Sequence, residues 1–300
     1  MNKAQADPVV VGIDGSGTAR RALRWAAREA ARRHVGLRIV YGDVFAAPLL
    51  PGIRGRRTTP PQPGPVRADV ETLLAEAAEA ARRESPEITV EAVSLPGSPA
   101  SVLINESSRA GLVVVGDRGL GGFTGLLAGS VAVAVAAHGH SSTAVVRARN
   151  GHEQSSTHGP VVVGLDGSRQ AEQLLPHGFD AAADYDAPLH VVHTWNLVGV
   201  DVRRMRVGLA ANEIQAGEER LMSELLGGWS ERYPDVAVRH FVSRGSAAAE
   251  LLGHAEQARL IIVGARGRGG FTGMLLGSTS QALIHHAPCP ILVVRTANPR

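Results

Sequence analysis

The sequence predicts an α/β protein built as two tandem domains, each a doubly wound, five-stranded parallel sheet. Three observations carry this. Short apolar, largely β-branched runs alternate with helical periodicities five times in the first half, which implies parallel strands, right-handed crossovers and helices on both faces. The second half repeats the first, with VVVGLDGS at 161–168 echoing VVVGIDGS at 9–16. A glycine spacing, G-x2-G-x9-G-S, occurs once per half: Gly116, Gly119, Gly129 and Ser130, then Gly264, Gly267, Gly277 and Ser278. Asp14 precedes Gly116 by 102 positions and Asp166 precedes Gly264 by 98, a repeat of domain size and not the roughly 20 to 50 residues of a solenoid unit. The expected domains are 1–148 and 160–300, joined by a polar linker at 149–159 that lacks periodicity.

In order, Val9 to Ile13 reads as the first strand, ending in Asp14-Gly15-Ser16. A helix to about His34 buries Ala19, Leu23, Ala26 and Ala30 and turns the stripe Arg20, Arg24, Arg28 and Arg32 to solvent. Leu37 to Tyr41 is the second strand. Residues 46–66 hold six prolines, which precludes regular structure, so a long loop is expected there, either a plain insertion or a lid beside the site. The spacing of Val70, Leu73, Leu74, Ala77 and Ala81 predicts a helix over 70–83. A strand over 88–95, a helix over 99–109, the strand from Leu112, its glycine loop, a helix to His138 and a last strand over 143–147 complete the copy. In the second copy Pro176 falls inside the first helix and is expected to kink it or shorten its start, and a long helix is expected over 213–233. Its last strand spans 291–295.

Composition excludes several classes. Three hundred residues with 44% apolar content support two sizeable cores. No run approaches the roughly 18 apolar residues of a membrane span, so a soluble, cytoplasmic protein is expected. The lone Cys289, followed by an apolar run, reads as a buried thiol. The net charge of +3 comes from arginine, Lys3 being the one lysine, and with 4% aromatics the chain lacks the stacking residues of a nucleic-acid binder. A Walker loop needs a lysine that is absent here, and the first strand turn lacks a G-x-G-x-x-G fingerprint. His138, His140, His285 and His286 read as helix-end residues, not metal ligands, because no carboxylate or cysteine accompanies them.

The duplicated loops point to a polyanion. Glycines leave backbone N–H groups free to face phosphate oxygens, and a following helix adds unpaired donors at the positive end of its dipole. Ser130 and Ser278 open those helices, as caps or as donors to phosphate. Asp14 and Asp166 end central strands and meet these loops if the first and fourth strands are neighbours where the winding reverses, and their role is either to hold a ribose hydroxyl or to cap the next helix. Adenine would be read by backbone groups around Gly42 and Thr194.

These motifs, the Asp after the first strand and the five-fold alternation resemble the universal stress protein family in its tandem form, across nearly the whole chain. The resemblance implies a flavodoxin-like winding, akin to the adenine-nucleotide α-hydrolase-like fold, with ATP in each domain and regulatory work under stress. It also implies pairing of domains, as a homodimer or pseudo-dimer, through the last strands. Carried over, the site is Asp14, Gly42, Val115, Gly116, Gly119, Gly129, Ser130 and Val131, repeated as Asp166, Thr194, Val263, Gly264, Gly267, Gly277, Ser278 and Thr279. One departure is HGHSST at 138–143, where the second copy has His-Ala-Pro-Cys-Pro at 286–290. The expectation is a binding module for ATP, with Mg2+ carried by the phosphates, and no catalytic residue. The competing reading is a slow ATPase or phosphotransferase using the same loops. A protein partner is expected but not named by any residue.

Overall fold

The computed structural model describes residues 7–44, 46, 65–119, 129–147, 159–195, 211–267 and 275–296. Expectations for most of the Pro-rich segment and its counterpart, for the linker and for the interior of both glycine loops, Arg268 included, lie outside the described residues. The chain divides into two compact units, Met1–Arg147 and Ala148–Arg300.

In unit 1 the order is β1 (Val9–Gly12), α1 (Gly17–Arg32), β2 (Leu37–Asp43), α2 (Pro65–Glu84), β3 (Val90–Pro96), α3 (Pro99–Glu106), β4 (Leu112–Gly116), α4 (Ser130–His138) and β5 (Ser142–Val146). The strands run β3-β2-β1-β4-β5, and every pair is parallel. The chain winds outward from β1 through β2 to β3 and then returns to the other flank of β1. The reversal falls between β1 and β4, where Val9 lies opposite Leu112 and Val11 opposite Val114. Helices α1 and α2 pack together, as do α3 and α4. The central strands are buried along their length, with Val9, Val10, Val11 and Leu112 to Val115 all in the core, as a parallel sheet covered on both faces requires.

Unit 2 repeats the plan with β6 (Val161–Leu165), α5 (Arg169–Glu172), α6 (Leu175–Asp184), β7 (Leu189–Trp195), α7 (Ala211–Arg232), β8 (Val238–Arg244), α8 (Ala247–Ala255), β9 (Leu260–Gly264), α9 (Ser278–His286) and β10 (Ile291–Val294). Its order is β8-β7-β6-β9-β10, again parallel throughout. Pro176 acts as expected: the first helix is reduced to the single turn α5, and α6 restarts with the proline in its first turn. Among the described residues no helix is long and apolar enough to cross a membrane.

Local differences have local causes. Helix α1 buries Ala19, Leu23, Ala26 and Ala30 and exposes Arg20, Arg24 and Arg28, but Arg32 turns inward. With Arg33 it holds the carboxylate of Glu29, which is only 3% exposed. Burial pushes the Glu29 pKa up, but the hydrogen bonds and charges of Arg32 and Arg33 outweigh it and leave the carboxyl below its usual value. Strand β5 runs from Ser142 to Val146, one residue earlier at each end than expected, and the Arg147 side chain that follows it pairs with Asp117. Helices α1 and α6 both end by turning a non-glycine residue left-handed, His34 at φ 55° and Asp186 at φ 48°.

The amino ends of the strands carry opposite charge patterns in the two units. In unit 1, Arg38 of β2 forms ion pairs with Glu91 of β3 and, at 2.6 Å, with the buried Glu106 of α3, beside a cavity of about 450 Å3. The same positions in unit 2 hold His190, Arg239 and His254. The His190 ring lies 5.0 Å from Phe241 and 5.9 Å from His254, and its buried Nδ1 has no hydrogen-bond partner among the described residues.

Candidate functional site

Unit 1 builds its site where β1 and β4 end side by side. The N–H of Ile13 still donates to Val40 (3.0 Å), after which the chain turns. Asp14 Oδ1 accepts the N–H of Ser16 at 2.9 Å, Gly15 takes a positive φ of 86°, and Ser16 caps α1 by accepting the N–H of Ala19 at 3.1 Å. Asp14 is therefore not the cap. It stands two residues upstream and shapes the turn, with one carboxylate oxygen facing the glycine loop. Thr18 donates its hydroxyl proton to the carbonyl of Arg118, so across the 3.0 Å contact with Ser16 Oγ it must be the acceptor. This relay fastens the start of α1 to the loop.

The loop glycines are required for close approach and not for a left-handed backbone. None of Gly116, Gly119, Gly129, Gly264, Gly267 or Gly277 has φ in the positive region, so glycine's tolerance of φ > 0 is not what these positions use. A Cβ on Gly116 would stand 2.9 Å from Thr18 Oγ1, and one on Gly119 would stand 2.5 Å from Asp14 Oδ2. Gly42 is likewise a packing glycine, since a Cβ there would lie 2.7 Å from Pro99 Cα. The loop closes at its neck, where Gly129 N–H donates to Asp117 C=O at 2.7 Å.

Beyond the neck α4 begins with Gly129 as a cap that offers no side chain, and the first helical hydrogen bond is Val133 N–H to Gly129 C=O. The amides of Ser130, Val131 and Ala132 thus have no helical partner. Ser130 is the first helical residue, exposed, and its hydroxyl bonds to no described residue, so it is not the cap either. Unit 2 repeats the turn, the neck and the helix start but has Gln170 where unit 1 has Thr18. Ser168 N–H donates to Asp166 Oδ1 at 2.9 Å, Gly167 has φ 69°, Gly277 N–H donates to Ala265 C=O at 2.8 Å, and α9 opens at Ser278 behind an uncapped Gly277. A Cβ on Gly267 would lie 3.1 Å from Asp166 Oδ2. Val115 and Val263 are the buried last apolar residues of β4 and β9, and Val131 and Thr279 are the second residues of their helices. Gly42 and Thr194 sit one residue before the ends of β2 and β7.

Three features escaped the sequence reading. Thr18 lay outside the glycine spacing. The buried Asp117, whose Oδ2 accepts from Arg147 Nε at 3.0 Å, is visible as Asp in G-D-R-G against Ala265 in G-A-R-G, but its pairing needed the fold. In unit 2, His193 lies beside Thr194 with Nδ1 3.0 Å from Leu165 C=O and Nε2 3.1 Å from Glu218, and Trp195 donates to Gln215 at 2.6 Å, tying α7 to the carboxyl end of β7.

The sequence profile of the Universal stress protein family matches residues 6–147 and again 158–295. The chain belongs to this family. The chain is 33% identical over 294 residues to universal stress protein Rv2623 of Mycobacterium tuberculosis (strain ATCC 25618 / H37Rv), covering 96% of each. It is 35% identical over 300 residues to a universal stress protein of Mycolicibacterium smegmatis (strain ATCC 700084 / mc(2)155), again covering 96% of each. Among solved structures, a universal stress protein from Archaeoglobus fulgidus DSM 4304 superposes with a TM-score of 0.68 at 20% identity, over 98% of this chain and 100% of that one, which supports the tandem fold.

Proposed function

We propose that each unit of this universal stress protein binds one ATP, with Mg2+ carried by the phosphates, and that the chain is a nucleotide-responsive regulatory module that turns its ligand over slowly or not at all. The observation that carries this reading is made twice. A glycine loop closed at its neck delivers a helix whose first three amides have no helical partner, and an Asp carboxylate faces that loop across the reversal of strand order. Those amides, with the exposed hydroxyl of Ser130 or Ser278, fit phosphate oxygens in number and polarity. Asp14 and Asp166 would repel phosphate, so a ribose hydroxyl is their natural partner, which sets adenine toward Gly42 and Thr194. Family membership supports a role in the response to stress.

Calorimetry on nucleotide-stripped protein tests the reading. Two equivalents of ATP per chain are expected. Binding of no adenine nucleotide at all would overturn it, and one equivalent would confine it to a single unit.

A further inference from the structure

The backbone at the two loop necks is the same, but the charge is not. Asp117 N–H donates to Val146 C=O (3.1 Å) and its carbonyl accepts from Gly129; Ala265 N–H donates to Val294 C=O (2.9 Å) and its carbonyl accepts from Gly277. Each neck residue is therefore held beside the arginine that follows the last strand, Arg147 or Arg295. In unit 1 the neighbour is a carboxylate, 93% of whose residue is buried, ion-paired to Arg147 at 3.0 Å. In unit 2 it is a methyl group. Burial first, and then the charge of Arg266, push the pKa of Arg295 down.

Resting on the nucleotide reading above, we infer that position 117/265 sets ligand charge preference, so that unit 2, lacking the neck carboxylate, favours the triphosphate over the monophosphate more strongly than unit 1 does. The phosphate chain would lie at the amino end of α4 or α9, immediately beyond the neck. A carboxylate there repels each added phosphate charge, and Arg147 cancels only part of that repulsion because ligand and pair differ in distance. One charge at this range changes the ATP-to-AMP affinity ratio by about tenfold at low salt, less at higher ionic strength.

The test uses the full chain with one loop blocked by Gly119→Val or Gly267→Val, so that each unit is titrated alone with ATP and AMP at two salt concentrations. The ATP-to-AMP ratio should be about tenfold higher in unit 2 and fall more steeply with salt. Ala265→Asp should lower the unit 2 ratio towards that of unit 1, and the isosteric Asp117→Asn should raise the unit 1 ratio, with melting curves confirming that the variants fold. Equal or reversed ratios, or ratios that ignore both substitutions while ATP still binds, overturn this inference and leave the nucleotide reading standing. Failure of both units to bind any adenine nucleotide overturns both readings, whereas failure of one unit alone overturns this inference and confines the nucleotide reading to the other unit.

Discussion

The carboxylate of Asp14 is packed against the α-carbon of Gly119, so close that a Cβ there would come within 2.5 Å of Oδ2. The contact joins the carboxyl ends of β1 and β4 through Asp14 and Gly119, 105 positions apart in sequence, and it leaves the carboxylate little room to move. Oδ1 is held by the N–H of Ser16 at 2.9 Å, so rotating Asp14 away would open the turn that starts α1.

Gly119→Ala should therefore damage the first loop with one methyl group. The equivalent approach in unit 2 is 3.1 Å, which a shift of a few tenths of an ångström relieves. Gly119→Ala is expected to abolish one equivalent of bound ATP, whereas Gly267→Ala retains two and weakens one by roughly threefold to tenfold. Calorimetry counts the equivalents. Equal effects of the two substitutions would mean that the Asp contact does not set loop geometry.

Acid should weaken the two units in different pH ranges. Burial, His254 and Arg239 all lower the pKa of His190 below its ordinary 6.5, so the folded state binds this proton less readily than the unfolded chain. Its contribution is complete above pH 6.5 and is lost as pH falls from there through the lowered folded value. The groups facing it are His254 from α8, itself 3.9 Å from Glu250, and Arg239 and Phe241 from β8. The same place in unit 1 holds Arg38 between Glu91 and Glu106, with no histidine among the three. Glu29 acts later: its folded pKa lies below 4.5, so its contribution is intact above 4.5 and disappears as pH falls through the folded value. Urea melts from pH 7.5 to 5.5, followed by tryptophan fluorescence, should show a transition that weakens with acid and becomes nearly flat over that range in His190→Gln. A transition equally sensitive in wild type and variant would remove His190 from this role.

Much of this architecture was legible in the sequence because parallel strands buried on both faces appear as continuous runs such as Val9-Val10-Val11 and because the duplication repeats each signal. That β1 and β4 are neighbours, the condition for Asp14 to meet the Gly116 loop, was left open by the alternation and is supplied by the strand pairing. Charge partners were less legible. Glu29 occupies a helical position beside two arginines and looks like solvated surface, yet the packing of α1 buries it. Asp117 and Arg147 are brought together only by the β4–β5 register. The glycine spacing placed the loops, but that the carboxylate of Asp14 is what crowds a side chain at Gly119 was visible only in the fold.

The left-handed ends of α1 and α6 can be improved. Asp186 is exposed at φ 48°, a conformation that costs any residue with a Cβ more than glycine. Asp186→Gly should stabilise unit 2 by about 1 kcal/mol, or roughly 2–4 °C in its melting temperature, while Asp186→Ala should destabilise it. Scanning calorimetry reads both. A loss of stability in the glycine variant would show that the Asp side chain contributes more than the backbone strain costs.

Ligand and substrate are separated by what lies around the phosphates. Hydrolysis requires a positioned water, a group to orient it, and charge stabilisation at the γ-phosphate. The helix amides supply part of the last, and the exposed Arg118 and Arg266 are further cations within the described part of the loops. The carboxylates of Asp14 and Asp166, which face the loops, are fixed by their turns with Ser16 and Ser168. Binding alone still does thermodynamic work: at about a hundred times its dissociation constant, ATP stabilises the folded state by roughly 2.7 kcal/mol per site. That suffices to shift which surfaces or assemblies are populated, and so to report ATP level to a partner. Mg-ATP should accordingly raise the melting temperature by several degrees while phosphate release stays below about one per minute, far under the roughly 1 to 1000 per second of ordinary enzymes. Turnover of several per second, abolished when Arg118→Ala and Arg266→Ala are combined, would make these loops catalytic and displace the regulatory reading.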